Sequence, residues 1–291
     1  AISSRLPGNM RNSRRSGRGM NKATREGNVN QDSKQGEAAS VTEAWRHELK
    51  AQGYEPPEIT TRSCLKFRLL SRTWRRILWH TGLRRSDPVR VLEFGCGGGI
   101  QLVPLYVNGW SCTGVDCSGE VLERAARYVQ AVNSSSCRPK GNIKFVRTDF
   151  IGYKPDRSGF DLTVQFGVLE HFLDDAERLR YVSKMFEATR PGGFIVSAVP
   201  NGCHAVRAKE RRDGLGGYKI PEIDYSDGLI EKEMRACGAI EVKVLPHNLF
   251  GYLRIMNLGG VRRFVAGLIY YLFQLPIFQF LPRRFLRRHA Y

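Results

Sequence analysis

Glycines at 95, 97 and 99 and carboxylates at 93, 116 and 149 are the residues of this 291-residue chain whose types and spacing could do chemistry. The run Val91-Leu92-Glu93-Phe94-Gly95-Cys96-Gly97-Gly98-Gly99 sets a glycine turn after a short apolar stretch. Between a buried strand and a helix, such a turn lets a ligand touch backbone, and the helix start offers unpaired N–H groups. The spacing is G-x-G-x-G. A dinucleotide fingerprint needs glycine at 100, where Ile100 stands, and no Lys-Ser/Thr pair follows, so a phosphate-cradling P-loop is excluded too. Asp116 ends the next apolar run, 21 residues after Gly95, and Asp149 ends the one after that, in Arg147-Thr148-Asp149-Phe150. A carboxylate beside a glycine turn can accept both hydroxyls of a ribose. Asp149 can accept from an adenine amino group while Phe150 or Cys117 covers the ring. The three together describe a nucleoside site with no phosphate requirement.

Positioning these groups takes strands that end side by side. From Arg90 onward, short apolar runs alternate with helical patterns. Strands are expected at Val91–Phe94, Cys112–Val115, Ile143–Val146, Phe160–Phe166, Phe194–Val199 and Ile240–Leu245. Helices are expected at Ile100–Asn108, after Ser118, after Asp174 with Glu177 as an acidic capping box, and at Leu229–Cys237. This alternation implies an α/β fold with a doubly wound, mostly parallel sheet covered by helices on both faces. Residues 41–52 and 63–83 read as N-terminal helices, the second with Leu65, Leu69, Trp74, Ile77 and Leu78 on its apolar side.

The net charge of +18 sits in the flanks. Residues 87–241 carry 20 basic and 21 acidic side chains, whereas 61–86 and 242–291 each carry eight basic and none acidic. That points to a neutral catalytic core with basic attachments to an anionic partner. Four regions follow: a basic leader at 1–40, too poor in apolar residues to order itself; a helical extension at 41–86; the α/β domain at 87–247; and an apolar, basic segment at 248–291. Seven cysteines with no C-x-x-C pair read as reduced thiols in an intracellular protein. A cytoplasmic location is expected. The Arg-rich, acid-poor leader also fits an organelle transit peptide.

Residues 88–245 resemble a class I S-adenosylmethionine-dependent methyltransferase. Glu93-Phe94-Gly95-Cys96-Gly97-Gly98-Gly99 is similar to that family's first motif, Gly114-Val115-Asp116 to its ribose-binding motif, and Thr148-Asp149-Phe150 to its adenine motif. Phe160-Asp161, Gly167-Val168-Leu169-Glu170-His171 and Arg190-Pro191-Gly192-Gly193 resemble its small-molecule branch, which includes quinone-pathway enzymes. The resemblance implies a seven-stranded Rossmann-like sheet and S-adenosylmethionine as cofactor. It implies that Gly95 and Gly97 approach the methionine part, with Cys96 and Gly99 in the same turn and Glu93 ordering it. Asp116 and Asp149 would bind ribose and adenine, with Cys117 and Phe150 beside them, and Gln165 and Phe166 would line the methyl-transfer side. His171 is the general-base candidate, with Glu170 beside it; both can equally serve to orient the loop they open. Relatives that bind a divalent metal here carry Glu-x-x-Glu-His. Gly167 stands in place of the first Glu, so no metal is expected. The Asn/Asp-Pro-Pro-Tyr/Phe motif of exocyclic-amine DNA methyltransferases is absent, as is a Pro-Cys nucleophile motif.

Pro200–Tyr225 reads as a long lid over the acceptor. Val265–Leu281 is uncharged, interrupted by Pro276, and flanked by Arg262, Arg263, Arg283 and Arg284. Lying in an anionic membrane interface suits it better than spanning a bilayer, with packing on the core as the alternative. The expected function is methyl transfer, to oxygen, on a small-molecule or lipid-linked acceptor near a membrane. The alternative is an RNA or protein methyltransferase whose basic flanks hold a polyanion. Nucleic acid is the less favoured partner, and the oligomeric state is left open.

Overall fold

The computed structural model describes residues 2–5, 58–155, 159–212, 220–254, 256 and 258–291. The expected helix at 41–52 and the leader from residue 6 onward lie outside these. The strands are β1 (Ile2–Arg5), β2 (Arg90–Phe94), β3 (Ser111–Asp116), β4 (Asn142–Arg147), β5 (Phe160–Phe166), β6 (Thr189–Ala198) and β7 (Glu241–Val244). Five of them pair in parallel in the order β4-β3-β2-β5-β6. Val91, Leu92 and Phe94 are all fully buried, as befits a parallel strand covered on both faces. Alternation along β2 sends Val91 into one core cluster, with Trp74, Leu102 and Trp110, and Leu92 and Phe94 into the other, with Val182 and Met185. The strand order reverses between β2 and β5. The crevice at that switch point lies beside the glycine turn that follows β2.

The helices are α1 (Thr61–Leu69), α2 (Arg72–Thr81), α3 (Leu102–Val107), α4 (Gly119–Asn133), α5 (Asp175–Ala188), α6 (Ala205–Arg212), α7 (Asp227–Ala236), α8 (Gly260–Phe273) and α9 (Arg283–His289). Ser118 caps α4 by accepting from Val121 N–H at 3.4 Å. Asp174 caps α5 by accepting from Glu177 N–H at 2.8 Å, as its sequence pattern requires. Arg178 of α5 is buried and donates to Glu233 of α7 at 2.9 Å, while Tyr225 donates to the other oxygen of that carboxylate at 2.8 Å, so the charge is neutralised inside the fold.

Four expectations change. The single helix at 63–83 is two helices, because Leu70 turns to φ 60° and Ser71 caps α2. Leu65 and Leu69 consequently face solvent, while Trp74 and Ile77 are buried. Ile2–Arg5, assigned to the unordered leader, pairs antiparallel with both β6 and β7. Pro191, Gly192 and Gly193, which precede the strand expected at Phe194–Val199, lie within β6. Cys64 and Cys137 form a disulfide, so the thiols are not all reduced. Their Cα atoms stand 4.8 Å apart although 73 residues separate them in the chain, a proximity that counting cysteines does not reveal.

The tail bends where Pro276 opens a short 3-10 turn between α8 and α9. Leu249, Leu286 and Ala290 form a small separate cluster with Phe250 and Phe273. Asn201 ties it to the domain by donating to the carbonyls of Arg287 and Ala290, each at 2.9 Å. Among the described residues, no helix is long and apolar enough to cross a membrane.

Candidate active site

The glycine turn is held against β3. Gly95 and Cys96 N–H both donate to Val115 O, at 2.8 and 3.1 Å. Gly95 has φ 66°, and a Cβ there would lie 2.5 Å from a methyl of Val168, so the turn and the loop after β5 interlock. Gly97 has φ 51° and open space where a Cβ would project. Gly99, at φ 75°, packs over Phe145. Asp116 closes the arrangement: its Oδ2 accepts from Gly97 N–H at 3.0 Å and its Oδ1 from Ser118 N–H at 2.9 Å. Each oxygen keeps a further lone pair for a hydroxyl donor. Burial pushes the Asp116 carboxyl above its usual range, against the N–H groups that favour the anion. Glu93 is 2% exposed. Its pKa is raised by burial and by the Asp116 charge, and its Oε2 has no hydrogen-bond partner. An orphaned buried carboxyl beside an open glycine turn and a ribose-type acid fits S-adenosylmethionine.

At the end of β4, Asp149 is exposed, and its Oδ1 accepts from Gly152 N–H at 2.5 Å, which fixes the turn that carries it. Phe150 does not present its ring to the crevice as expected. It is buried against Phe94 and Tyr181, at centroid distances of 4.6 and 4.8 Å, because the apolar core outcompetes the solvent-facing position. Cys117 is exposed at the end of β3 and remains the candidate cover for an adenine ring. Cys96 is buried and its thiol is pushed up, by burial first and then by Glu93 and Asp116, which makes it packing rather than a nucleophile.

Gln165 also departs from expectation. It is buried, its amide donates to Ser197 Oγ, and its Oε1 accepts from Val168 N–H at 3.0 Å. It staples β5 to β6 and shapes the Gly167-Val168 turn instead of lining the crevice. Phe166 is half-buried and meets Trp74 edge-on at 5.7 Å. Trp74 in turn donates to Gln101 O at 2.9 Å, which docks α2 onto the segment following the glycine turn. Trp74, read from the sequence as part of its helix's apolar side, is fully buried in the core, with Phe166 against it.

Glu170 and His171 form a short 3-10 turn after β5 and are both buried. Burial raises the Glu170 pKa to about 8, with Glu222 adding and Arg207 and its own backbone amide opposing. Its Oε2 has no hydrogen-bond partner. His171 Nδ1 lies 3.1 Å from Pro221 O, so this nitrogen carries the proton and Nε2 the lone pair. Burial lowers its pKa, against Pro221 and Glu222, so the imidazole is neutral near pH 7. Arg207 of α6 pairs with Glu222 directly above this turn, and Ile223 N–H donates to Glu170 O at 2.8 Å. The segment expected as a lid is therefore anchored on the two candidate catalytic residues. Neither Glu222 nor Arg207 was among the candidate site residues singled out from the sequence. Among the described residues, no group of side chains is arranged to hold a metal ion.

Fold and site define a nucleoside-binding α/β protein of Rossmann type. A family model described as a methyltransferase domain matches residues 65–226, more than half of the chain, and the chain belongs to that family. Its cofactor is S-adenosylmethionine. A ubiquinone biosynthesis O-methyltransferase of Caulobacter sp. (strain K31) is 29% identical over 124 residues, 40% of this chain and 42% of its own. A phosphatidylethanolamine N-methyltransferase of Cereibacter sphaeroides is 34% identical over 122 residues, 42% of this chain and 54% of its own. An EEF1A lysine methyltransferase 2 of Danio rerio is 27% identical over 128 residues, 42% and 52% of the two chains. The chain spans about half the length of the curated relatives it matches.

Proposed function

We propose that this methyltransferase methylates an oxygen of a small-molecule or lipid-linked acceptor at a membrane surface. The observation that carries the reading is the outward apolar face of α8, attached to the methyltransferase domain. Val261, Phe264, Val265, Leu268, Tyr271 and Leu272 recur at helical spacing and are all exposed, whereas Ala266 is buried. A helix that turns its apolar stripe outward, between pairs of arginines, suits the boundary between headgroups and acyl chains. Relatives named as a ubiquinone biosynthesis O-methyltransferase and a phosphatidylethanolamine N-methyltransferase support a small-molecule or lipid acceptor.

S-adenosylmethionine supplies an electrophilic methyl on a sulfonium. Asp116 and the Gly95–Gly99 turn fix the nucleoside, with Glu93 beneath. Phe166 and Trp74 wall the side facing the acceptor and exclude water. Neutral His171, oriented by Pro221 O, takes the acceptor's proton, and Glu170 holds the overlying segment in place. The test is incubation with labelled methyl donor and a cell extract split into lipid, RNA and protein fractions. Label in the lipid fraction is the expected result, and it is lost in Asp116→Ala. Label confined to RNA or protein overturns the acceptor assignment and favours the polyanion reading of the basic flanks. Label retained in Asp116→Ala removes that residue from the site.

A further inference from the structure

The two acid-free basic stretches of the sequence, 61–86 and 242–291, come together in space. Arg76 Nη1 donates to Pro246 O at 2.5 Å, Thr73 Oγ1 lies 3.1 Å from His247 Nε2, and the Arg72 guanidinium lies 6.0 Å from the Tyr271 ring centroid. Between them is a cavity of about 730 Å³. That is the size of a pocket that encloses a small organic ligand. Its two walls differ in chemistry. Arg72, Arg75, Arg76 and Trp79 recur at helical spacing on one face of α2 and form the first. Phe273, Leu275, Phe280 and Leu286 of the tail form the second, which is apolar.

No carboxylate lines this space, and none among the described residues pairs with the three arginines. Arg76 Nε is buried without a hydrogen-bond partner, which leaves a charged donor unsatisfied inside the protein. His247, on the same wall, is held at about 4 by burial first and by surrounding positive charge that includes Arg76 and Arg72, so it is neutral and donates no charge of its own. Phe280 is 81% exposed at the rim, and Leu275 is half exposed beside it. Three guanidiniums on one side and an open apolar wall on the other match a ligand that is anionic at one end and apolar along its length. A polynucleotide would satisfy the arginines and leave the apolar wall without a partner.

We propose that this cavity binds the phosphate headgroup of an anionic phospholipid, with its acyl chain along the Phe273–Phe280 wall. The site lies on the far face of α2 from Trp74, so the lipid is a docking ligand distinct from the methyl acceptor. It deepens the membrane reading, because it assigns the headgroup that α8 alone does not select.

Calorimetry with a short-chain, monomeric phosphatidylglycerol tests the cavity without any bilayer. Saturable binding is expected, weakened roughly tenfold or more in Arg72→Gln/Arg75→Gln and in Phe280→Ser, while Arg262→Gln/Arg263→Gln, with the same charge change outside the cavity, stays close to the parent. No binding, equal binding of short-chain phosphatidylcholine, or equal loss in both arginine pairs overturns the proposal. Inorganic phosphate that binds as tightly as the lipid reduces the site to a free-phosphate site and overturns the lipid assignment. Co-sedimentation with phosphatidylcholine vesicles, with and without phosphatidylglycerol, is read separately. Loss of vesicle binding with short-chain binding intact fells the membrane reading and leaves the cavity standing.

Discussion

At the residue scale the site consists of carboxyl groups made to behave unlike free ones. Two backbone N–H groups partly offset the burial of Asp116, although its carboxyl still sits above the usual range. Glu170 has no such compensation at Oε2, and burial carries its pKa from the usual 4.5 to about 8. The folded state therefore holds this proton more tightly than the unfolded chain. The stabilisation is complete below about pH 4.5 and is lost as pH rises through about 8. Glu170→Gln keeps the shape and removes the ionisation. Its melting temperature is expected to gain on the parent's as pH rises from about 4.5 to about 8 and to stay ahead above that, by the equivalent of about 1–3 kcal/mol. Melting temperatures of the two proteins that run parallel from about pH 4.5 to about 8 would show that Glu170 ionises freely. The glycine turn, Asp116 and the order of the motifs were legible from residue type and spacing, since each occupies a strand end. The roles of Gln165 and Phe150 were not legible, because a residue at or just after a strand end reads the same whether it meets a ligand, a neighbouring strand or the core.

At the element scale, local caps decided what periodicity left ambiguous. The apolar pattern over 63–83 continues through Leu70. Yet Ser71 accepts from Trp74 N–H and starts a new helix, and Leu70, whose side chain is buried, takes a positive φ that is unusual for its type. The disulfide joins α1 to the segment after α4, where Arg68 also donates to Cys137 O at 3.3 Å. Closing so long a loop removes unfolded-state entropy. Cys64→Ala/Cys137→Ala, or reduction of the parent, is expected to cost about 2–4 kcal/mol. Matched melts with and without reductant measure this, and identical curves would mean that the bond does not form in solution. The bend at Pro276 was legible in advance, because proline cannot continue the helix ladder.

At the scale of the whole molecule, folding brings two basic stretches far apart in the chain into contact, beside the exposed apolar residues of α8. Vesicle binding is accordingly expected to have two components. Raising salt from roughly 0.1 M to 1 M shortens the screening length from ~10 Å to ~3 Å, and should remove the preference for anionic vesicles while leaving the apolar component of α8. Co-sedimentation at the two salt levels checks this, and a preference unchanged by salt would locate the selectivity elsewhere. The sequence by itself determined the strand–helix alternation, the glycine turn and the carboxylates at the strand ends, and the basic flanks, because each is a local pattern of residue types along the chain. Only the tertiary structure decided that Cys64 meets Cys137, that Glu222 and Arg207 close over Glu170, that Ile2–Arg5 enters the sheet, and that Arg76 faces the C-terminal tail. Those pairings join residues far apart in the chain, and the free energy that selects them comes from burial and desolvation of the assembled fold, which no local pattern encodes.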